Sequence, residues 1–364
     1  MAWLHGDKAE RNNKEEKSFL SHKKRIILAV LVVLILTALI LAGIAAHFSR
    51  LKLFDYRQLL MDTDVSVQLY AGTSGKAGRI RNELFDEMGR LERLLSYTDR
   101  SSDVTKINEA AGKKAVQVSL ETMEATRYAL DCADLCEGAY DPTIAPLIEI
   151  WGFQGECFRV PSTEEIEDSG SLIGYTLVEI DTAGRKIFLP RPGMALDLGG
   201  IAKGYIVDRG LELLSRAGIG HALINAGGDI GILGPKPDGS PWRIGVKHPR
   251  REGDIIAVIS WSQKGAVVTS GDYERYFEME GMRYHHILDP GSGYPSRVLI
   301  SATVTAPTVV EADALATAIM VMGPQRGLAL VESLPGVEAL LITPELELLI
   351  SSGLQDLIEL PGEK

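Results

Sequence analysis

From Val309 to Met322 the chain carries only two charged side chains, Glu311 and Asp313, and that stretch constrains whatever is built around it. Thr308-Val309-Val310-Glu311 fits a capping box and Gly323-Pro324 supplies a stop, so the spacing predicts a helix between them. Leu315, Ile319 and Met322 line one face, while Ala314, Ala316, Ala318, Met320 and Val321 leave no charged stripe for water. Such a helix has to be enclosed by the rest of the fold, and a carboxylate inside it needs a cation or several donors. Asp313 and Thr317 share one face. An Asp oxygen beside a Thr hydroxyl suits a hard cation such as magnesium. An ordinary helix start fits equally well, with Asp313 in the positive field near the N-terminus and Thr317 bonded back to a carbonyl. Spacing alone does not choose between the two.

With 364 residues, 45% hydrophobic and 24% charged, the chain can enclose that helix in one large domain or two ordinary ones. The net charge of -11 counts against a nucleic-acid partner, whose binders show a basic field. Seven Lys/Arg stand against four Asp/Glu up to Arg25, which leaves -14 on the remainder. The run from Ile26 to Ala46 contains no charged residue and would be roughly 30 Å long as a helix, enough to span a bilayer. His22-Lys23-Lys24-Arg25 precedes it, so residues 1–25 are expected in the cytoplasm, 26–46 as a transmembrane anchor, and everything after His47 on the extracytoplasmic side. Gly43-Ile44-Ala45 resembles a cleavage site, yet the apolar core and n-region are unusually long for a signal peptide, so the anchor is expected to stay uncleaved. Cys132, Cys136 and Cys157 form no disulfide framework and no zinc site, and are expected as core thiols.

Residues 47–60 are expected to connect the anchor to a catalytic domain over 61–355. Val65, Val67 and Leu69 alternate with polar residues as a half-buried strand does, and Ile80, Leu84, Met88, Leu91 and Leu95 recur at helical spacing. A second helix is expected from Leu120 to Glu137 and a third from Ile201 to Arg216. Strands are expected at Tyr175 to Ile180, Lys186 to Leu189, His221 to Asn225, Trp242 to Val246, Ile255 to Trp261 and Ile300 to Thr305. Arg275 to Met279 and Tyr284 to Leu288 form a pair around Glu280-Gly281, and a terminal hairpin surrounds Pro344. Helices interrupt runs of antiparallel strands without alternating strictly with them, so the fold class is α+β with mixed, largely antiparallel sheets.

Three further polar clusters stand in apolar or glycine-rich settings. Asp197-Leu198-Gly199-Gly200-Ile201-Ala202-Lys203 runs from a strand through paired glycines into a helix, so bare backbone can approach a ligand. A cation near a helix start is disfavoured, so an anionic partner would account for Lys203; a tight turn with a surface lysine is the plainer alternative. His285 and His286 would face opposite sides of a strand and cannot chelate one metal together. One facing a site could accept a proton near neutral pH, and both could equally be structural. Ala139-Tyr140-Asp141-Pro142 sets an aromatic beside backbone amides but is also an ordinary turn, and Asn225-Ala226-Gly227-Gly228-Asp229 is another glycine-rich bend.

Taken in order, Gly138 to Phe153, Leu196 to Asp208, Asn225 to Ile230, Thr269 to Pro295 and Thr303 to Gly323 resemble the ApbE-type flavin transferases, the FAD:protein FMN transferases, from Met61 to about Ile350. The resemblance implies an ApbE-like, T-fold-like catalytic domain that takes FAD as substrate with magnesium. A Thr or Ser hydroxyl of a target flavoprotein, such as a subunit of membrane-bound electron transport, would attack the FMN-side phosphorus and release AMP. It implies metal ligation by Asp313, Thr317 and the Gly200 carbonyl. FAD contacts would fall at Met61, Tyr97, Ala139, Tyr140, Asp141, Asp197, Lys203 and Ile287, with His286 as candidate base and Lys203 assisting as diphosphate charge develops. Ser292 stands where a Thr is common, and the transmembrane run replaces the lipid anchor of many members. An FAD pyrophosphatase giving FMN and AMP would use the same site, and a flavin-binding module without turnover is the third possibility.

Overall fold

The computed structural model describes residues 30–41, 43, 51–155 and 157–361, and the chain divides into one unit up to Leu51 and a second from Lys52 onward. In the first unit, residues 30–41 and 43 are helical with exposed side chains. Among the described residues no helix is long and apolar enough to cross a membrane; the remainder of the expected 26–46 span lies outside them.

The second unit is built on an eight-stranded sheet in the order β1-β2-β6-β7-β10-β13-β14-β15, with every neighbouring pair antiparallel. Its strands are β1 (Lys52–Leu60), β2 (Thr63–Ala71), β6 (Ala222–Ala226), β7 (Asp229–Leu233), β10 (Gly265–Gly271), β13 (Ser301–Ala306), β14 (Glu338–Ile342) and β15 (Leu348–Ile350). The α+β, antiparallel expectation holds. Residues 52–60, expected to be a connector, are instead the edge strand of this sheet, and Met61-Asp62 turns the chain into β2 with both residues at positive φ.

Side-chain alternation splits the sheet's two faces. Val65, Val67, Leu69, Ile224, Val268 and Val304 point to one face, where they pack against helices in the main core. Those helices are α1 (Ser74–Leu95), α2 (Asp103–Glu109), α3 (Leu120–Leu135), α6 (Gly199–Arg216), α7 (Val309–Met322) and α8 (Pro324–Ser333). Ile232, Val267 and Leu340 point to the other face, against Trp242, Ile244, Ile259 and Trp261 of a three-stranded sheet made by β8 (Trp242–Lys247), β9 (Ile255–Trp261) and β16 (Ile358–Glu359). A further small sheet joins β3 (Val116–Gln117), β4 (Glu179–Asp181) and β5 (Lys186–Phe188). Tyr175–Leu177, expected to begin a strand, forms a 3-10 turn.

A third cluster gathers Leu147, Trp151, Phe153, Ile166 and Leu288, with α4 (Ala145–Trp151) and α5 (Thr163–Gly170) on one side. On the other is the hairpin of β11 (Tyr276–Met279) and β12 (Met282–His285), turned by Glu280 and Gly281 at positive φ. Cys132 and Cys136 are buried as expected, whereas Cys157 is exposed: it lies in the loop beyond Phe153, outside the core.

Candidate active site

The centre of the site is the crossing of α6 and α7. A Cβ on Gly204 would stand 2.7 Å from Val309 O and 2.8 Å from Val310 Cα, so only glycine lets the two backbones approach this closely. Four residues on, Asp208 accepts the Val309 and Val310 amides (3.0 and 2.9 Å), two of the unsatisfied donors at the start of α7. Thr308 caps the same end through the Glu311 amide (3.4 Å). The crossing delivers Asp313, 3% exposed, onto the Gly204 amide (3.0 Å).

Asp313 forms no ion pair among the described residues. Burial first, and the Asp229 charge second, push its carboxyl up to about 7 against the pull of Lys203. Thr317 lies one turn further along α7, its Oγ1 3.4 Å from Ser270 Oγ of β10 and 3.7 Å from where a Cβ on Gly200 would sit. In an α-helix the Gly204 amide is the ordinary partner of the Gly200 carbonyl, so Asp313 competes with that carbonyl for its donor. The Asp313 carboxylate, the Thr317 hydroxyl and the Gly200 backbone thus lie along the α6–α7 crossing, an all-oxygen set of the kind a hard cation takes. No cluster of three or more His, Cys, Asp or Glu side chains able to hold a metal occurs among the described residues.

Lys203, whose place near a helix start called for an anion, pairs with Asp229 at the start of β7. Asp229 is buried, while the lysine side chain keeps about a third of its surface exposed. The chain reaches Asp229 through Gly227 and Gly228, both at positive φ, with Asn225 Oδ1 accepting the Gly228 amide (2.8 Å). Asp229 was not singled out by sequence, and neither was Ser270; both lie in stretches that match the family.

The strand expected to run to Leu288 ends at His285, so the two histidines are parted by the end of β12 and not by alternation along it. His285 is buried, with Nε2 on Ser296 O and Nδ1 accepting the Ile287 amide (3.3 Å). His286 is half-buried at the end of β12, its Nδ1 3.2 Å from Arg275 O. A carbonyl only accepts, so Nδ1 carries the proton and Nε2 keeps a free lone pair. Burial first, then His285, with Lys203 contributing, hold His286 down at about 3, so the ring is a neutral acceptor at physiological pH.

The loop after α3 supplies the opposite wall. Asp141 is buried, and its carboxylate is consumed internally: Oδ1 accepts the Thr143 amide and hydroxyl (2.8 and 2.6 Å) and Oδ2 the Tyr175 amide (3.0 Å). It therefore shapes the loop that carries Ala139 and Tyr140. Tyr140 lies with its ring edge against Gly200, 3.0 Å from a Cβ placed there, and its buried hydroxyl has no hydrogen-bond partner among the described residues. Asp197 accepts the Gly199 amide (2.6 Å); burial raises its carboxyl, opposed by Arg275. Tyr97 is half-buried against the main core, and Gln154 Nε2 is buried without a hydrogen-bond partner among the described residues. Ile287 is buried in the main core. Met61 sits in the β1–β2 turn, where its amide donates to Glu92 (2.7 Å), and no hydrogen bond joins it to Asp313 or Lys203 among the described residues.

An antiparallel sheet backed by helices, two of which cross tightly over a buried carboxylate, is the frame on which this site is built. A model of the ApbE family matches residues 61–341, and the chain belongs to that family. It is 34% identical over 304 residues to an FAD:protein FMN transferase of Klebsiella pneumoniae, covering 83% of this chain and 92% of the relative. It is 30% identical to the FAD:protein FMN transferase of Treponema pallidum, covering 87% and 92%. Among solved structures, the ApbE protein of Thermotoga maritima superposes with a TM-score of 0.78 at 38% identity, covering 84% of this chain and 99% of that one. The flavin transferase ApbE of Vibrio cholerae gives 0.75 at 28% identity, with the same coverage.

Proposed function

We propose that this chain transfers FMN from FAD to a Thr or Ser hydroxyl of an acceptor protein, forming a phosphoester and releasing AMP. What supports this reading is the buried Asp313 with Thr317 and Gly200 at the α6–α7 crossing, together with Lys203 on the same α6 and a neutral His286, in a chain whose relatives bear that name. Magnesium held by Asp313, Thr317 and the Gly200 carbonyl would withdraw charge from the diphosphate. The acceptor oxygen forms a bond to the FMN-side phosphorus as the bond from that phosphorus to the AMP phosphate oxygen breaks. His286 Nε2 takes the hydroxyl proton, and AMP leaves with the bonding pair. Lys203 stabilises charge on the departing phosphate, and the Ala139–Tyr140 loop with Asp197, Tyr97 and Ile287 seats the flavin nucleotide. No protein nucleophile is required, since the nucleophile arrives on the acceptor.

The uncharged run from Ile26 to Ala46 supports a membrane anchor that holds the catalytic domain on the extracytoplasmic face, beside flavoprotein subunits of membrane-bound electron transport. N-terminal sequencing of the membrane-fraction protein tests this; a start near Ala46 would mean cleavage. For the activity, the full chain is incubated with FAD, magnesium and a Thr-bearing acceptor peptide, and the peptide is weighed for the FMN increment. AMP released with unmodified acceptor would turn the assignment to FAD hydrolysis.

A further inference from the structure

Asp229 has a burial that a simple counter-ion does not need. Its side chain is 2% exposed and pairs with Lys203, whose own side chain is 35% exposed. A surface carboxylate would neutralise a lysine at far lower desolvation cost. The chain also fixes its place from several directions: Gly227 and Gly228 turn left-handed just before it, Asn225 clamps that turn, and Thr63 packs beneath Gly227 so closely that a Cβ there would lie 2.4 Å from Thr63 Oγ1. The carboxylate is therefore a rigid post, and Lys203, on a flexible four-carbon stem, is the movable partner.

An ammonium has three N–H donors, and Asp229 engages one side of it. After Asp229, the next-largest electrostatic attraction on Lys203 comes from Asp313, the carboxylate of the oxygen set. The geometry points to Asp229 as a positioning residue: it holds the Lys203 ammonium against the β6–β7 turn and off Asp313, so that Asp313 is left to a divalent cation and the remaining ammonium protons to a diphosphate. This rests on the FAD reading for the identity of the diphosphate, but not for the separation of the two positive charges. Without Asp229, Lys203 falls onto Asp313 and occupies the cation's seat.

The test uses the full chain and Mn2+ alone as probe, with affinity read by electron paramagnetic resonance in the parent, Asp229→Asn, Lys203→Met, the double variant and Asp229→Glu. Asp229→Asn is expected to bind Mn2+ at least about tenfold more weakly, and the double variant to return to within about threefold of the parent, because no ammonium remains to compete. Lys203→Met alone should stay within about threefold. A tightening there as large as the Asp229→Asn loss would mean simple charge balance and overturn positioning. Unchanged Mn2+ affinity in Asp229→Asn, or an equally weak double variant, would also overturn it, the latter by making Asp229 act on the cation directly. Asp229→Glu keeps the ion pair and should bind within about threefold, which decides the matter should Asp229→Asn fail to fold; a tenfold loss in Asp229→Glu counts against the proposal. In the FMN-transfer assay, the double variant should turn over no more slowly than Lys203→Met, whereas multiplied losses would show two independent roles. Should the parent transfer no FMN while the Mn2+ pattern holds, the functional assignment fails and the positioning role stands.

Discussion

Replacing Gly204 by alanine tests the helix crossing on which the site depends. The added Cβ would meet Val309 O at 2.7 Å, Val310 Cα at 2.8 Å and Val309 C at 2.9 Å, and all three are backbone atoms that cannot swing aside. Restoring ordinary contact at about 3.4 Å requires α6 and α7 to part by ~0.7 Å. Overpacking of this kind costs about 1–3 kcal/mol. Loss of the Gly204 amide to the Asp313 carboxylate costs about 1.5–3 kcal/mol more, while alanine's better helix propensity returns about 1 kcal/mol. The expected net loss is therefore ~3 kcal/mol in urea unfolding. Because Asp313 and Thr317 ride on α7 and Gly200 on α6, the same displacement separates the oxygen set, and a misplacement approaching 1 Å lowers transfer by up to about 100-fold. Gly78, inside α1 with nothing within 4 Å of its would-be Cβ, is the control, and alanine there should stabilise by about 1 kcal/mol. A Gly204→Ala protein that unfolds within 1 kcal/mol of the parent and transfers FMN at the parental rate would refute the close-crossing account.

Asp208→Ala strands two amides at the start of α7 and should cost about 2–4 kcal/mol in urea unfolding while weakening Mn2+ binding; an effect on neither would show that the cap is dispensable. Asp313→Asn keeps an acceptor for Gly204 but removes the charge, so FMN transfer should vanish while the fold persists by circular dichroism; parental activity would dismiss Asp313 as a ligand. Tyr140→Phe deletes a buried hydroxyl that has no partner among the described residues, so ligand-free stability should hold or rise by about 1 kcal/mol while FAD affinity drops several-fold; equal FAD affinity would mean the hydroxyl does not meet the nucleotide. His286 is held at about 3, below its unfolded value near 6.5, so the unfolded chain binds the extra proton between those values. Parent stability should therefore decline as pH falls through that window, and His286→Gln should decline less steeply. The same variant should transfer more slowly with FAD binding retained, and a large loss of FAD affinity would make His286 a binding residue.

What sequence revealed here follows from how local each cause is. The α7 helix was legible because Thr308 and Gly323 mark its ends from within a few residues, and the β11–β12 hairpin because Glu280-Gly281 adopts the turn its residues favour. Lys203 announced its need for an anion, but not that Asp229 would meet it, since that pairing depends on a turn 26 residues away packing against α6. Ser270 stayed hidden for the same reason: its nearness to Thr317 comes from β10 packing under α7. Lys52–Leu60 was misjudged because an edge strand with mostly exposed side chains shows little apolar alternation. Tyr175 was misplaced because its amide is drawn to the Asp141 carboxylate, a tertiary contact that overrides its strand propensity. The donors that Asp141 meets, the Thr143 amide and hydroxyl in its own loop and the Tyr175 amide 34 residues on, could not be read from its turn alone.

The order of strands in the large sheet bears on how this chain must acquire its structure. Strand β2 pairs with β6, so Val65 finds Ala226 as its neighbour only after the intervening segment, with α1, α3 and α6, has been accommodated. Closing a loop of that length costs ~2.5 kcal/mol more entropy than closing a ten-residue one, before any sheet contact repays it. The β1–β2 hairpin can form early by itself, but two strands alone are marginal in water. A chain emerging N-terminus first therefore holds an apolar ribbon at its leading end until β6 arrives. Folding of this domain should accordingly be slow and non-local, and most vulnerable to aggregation in the interval between synthesis of Ala71 and of Ala226.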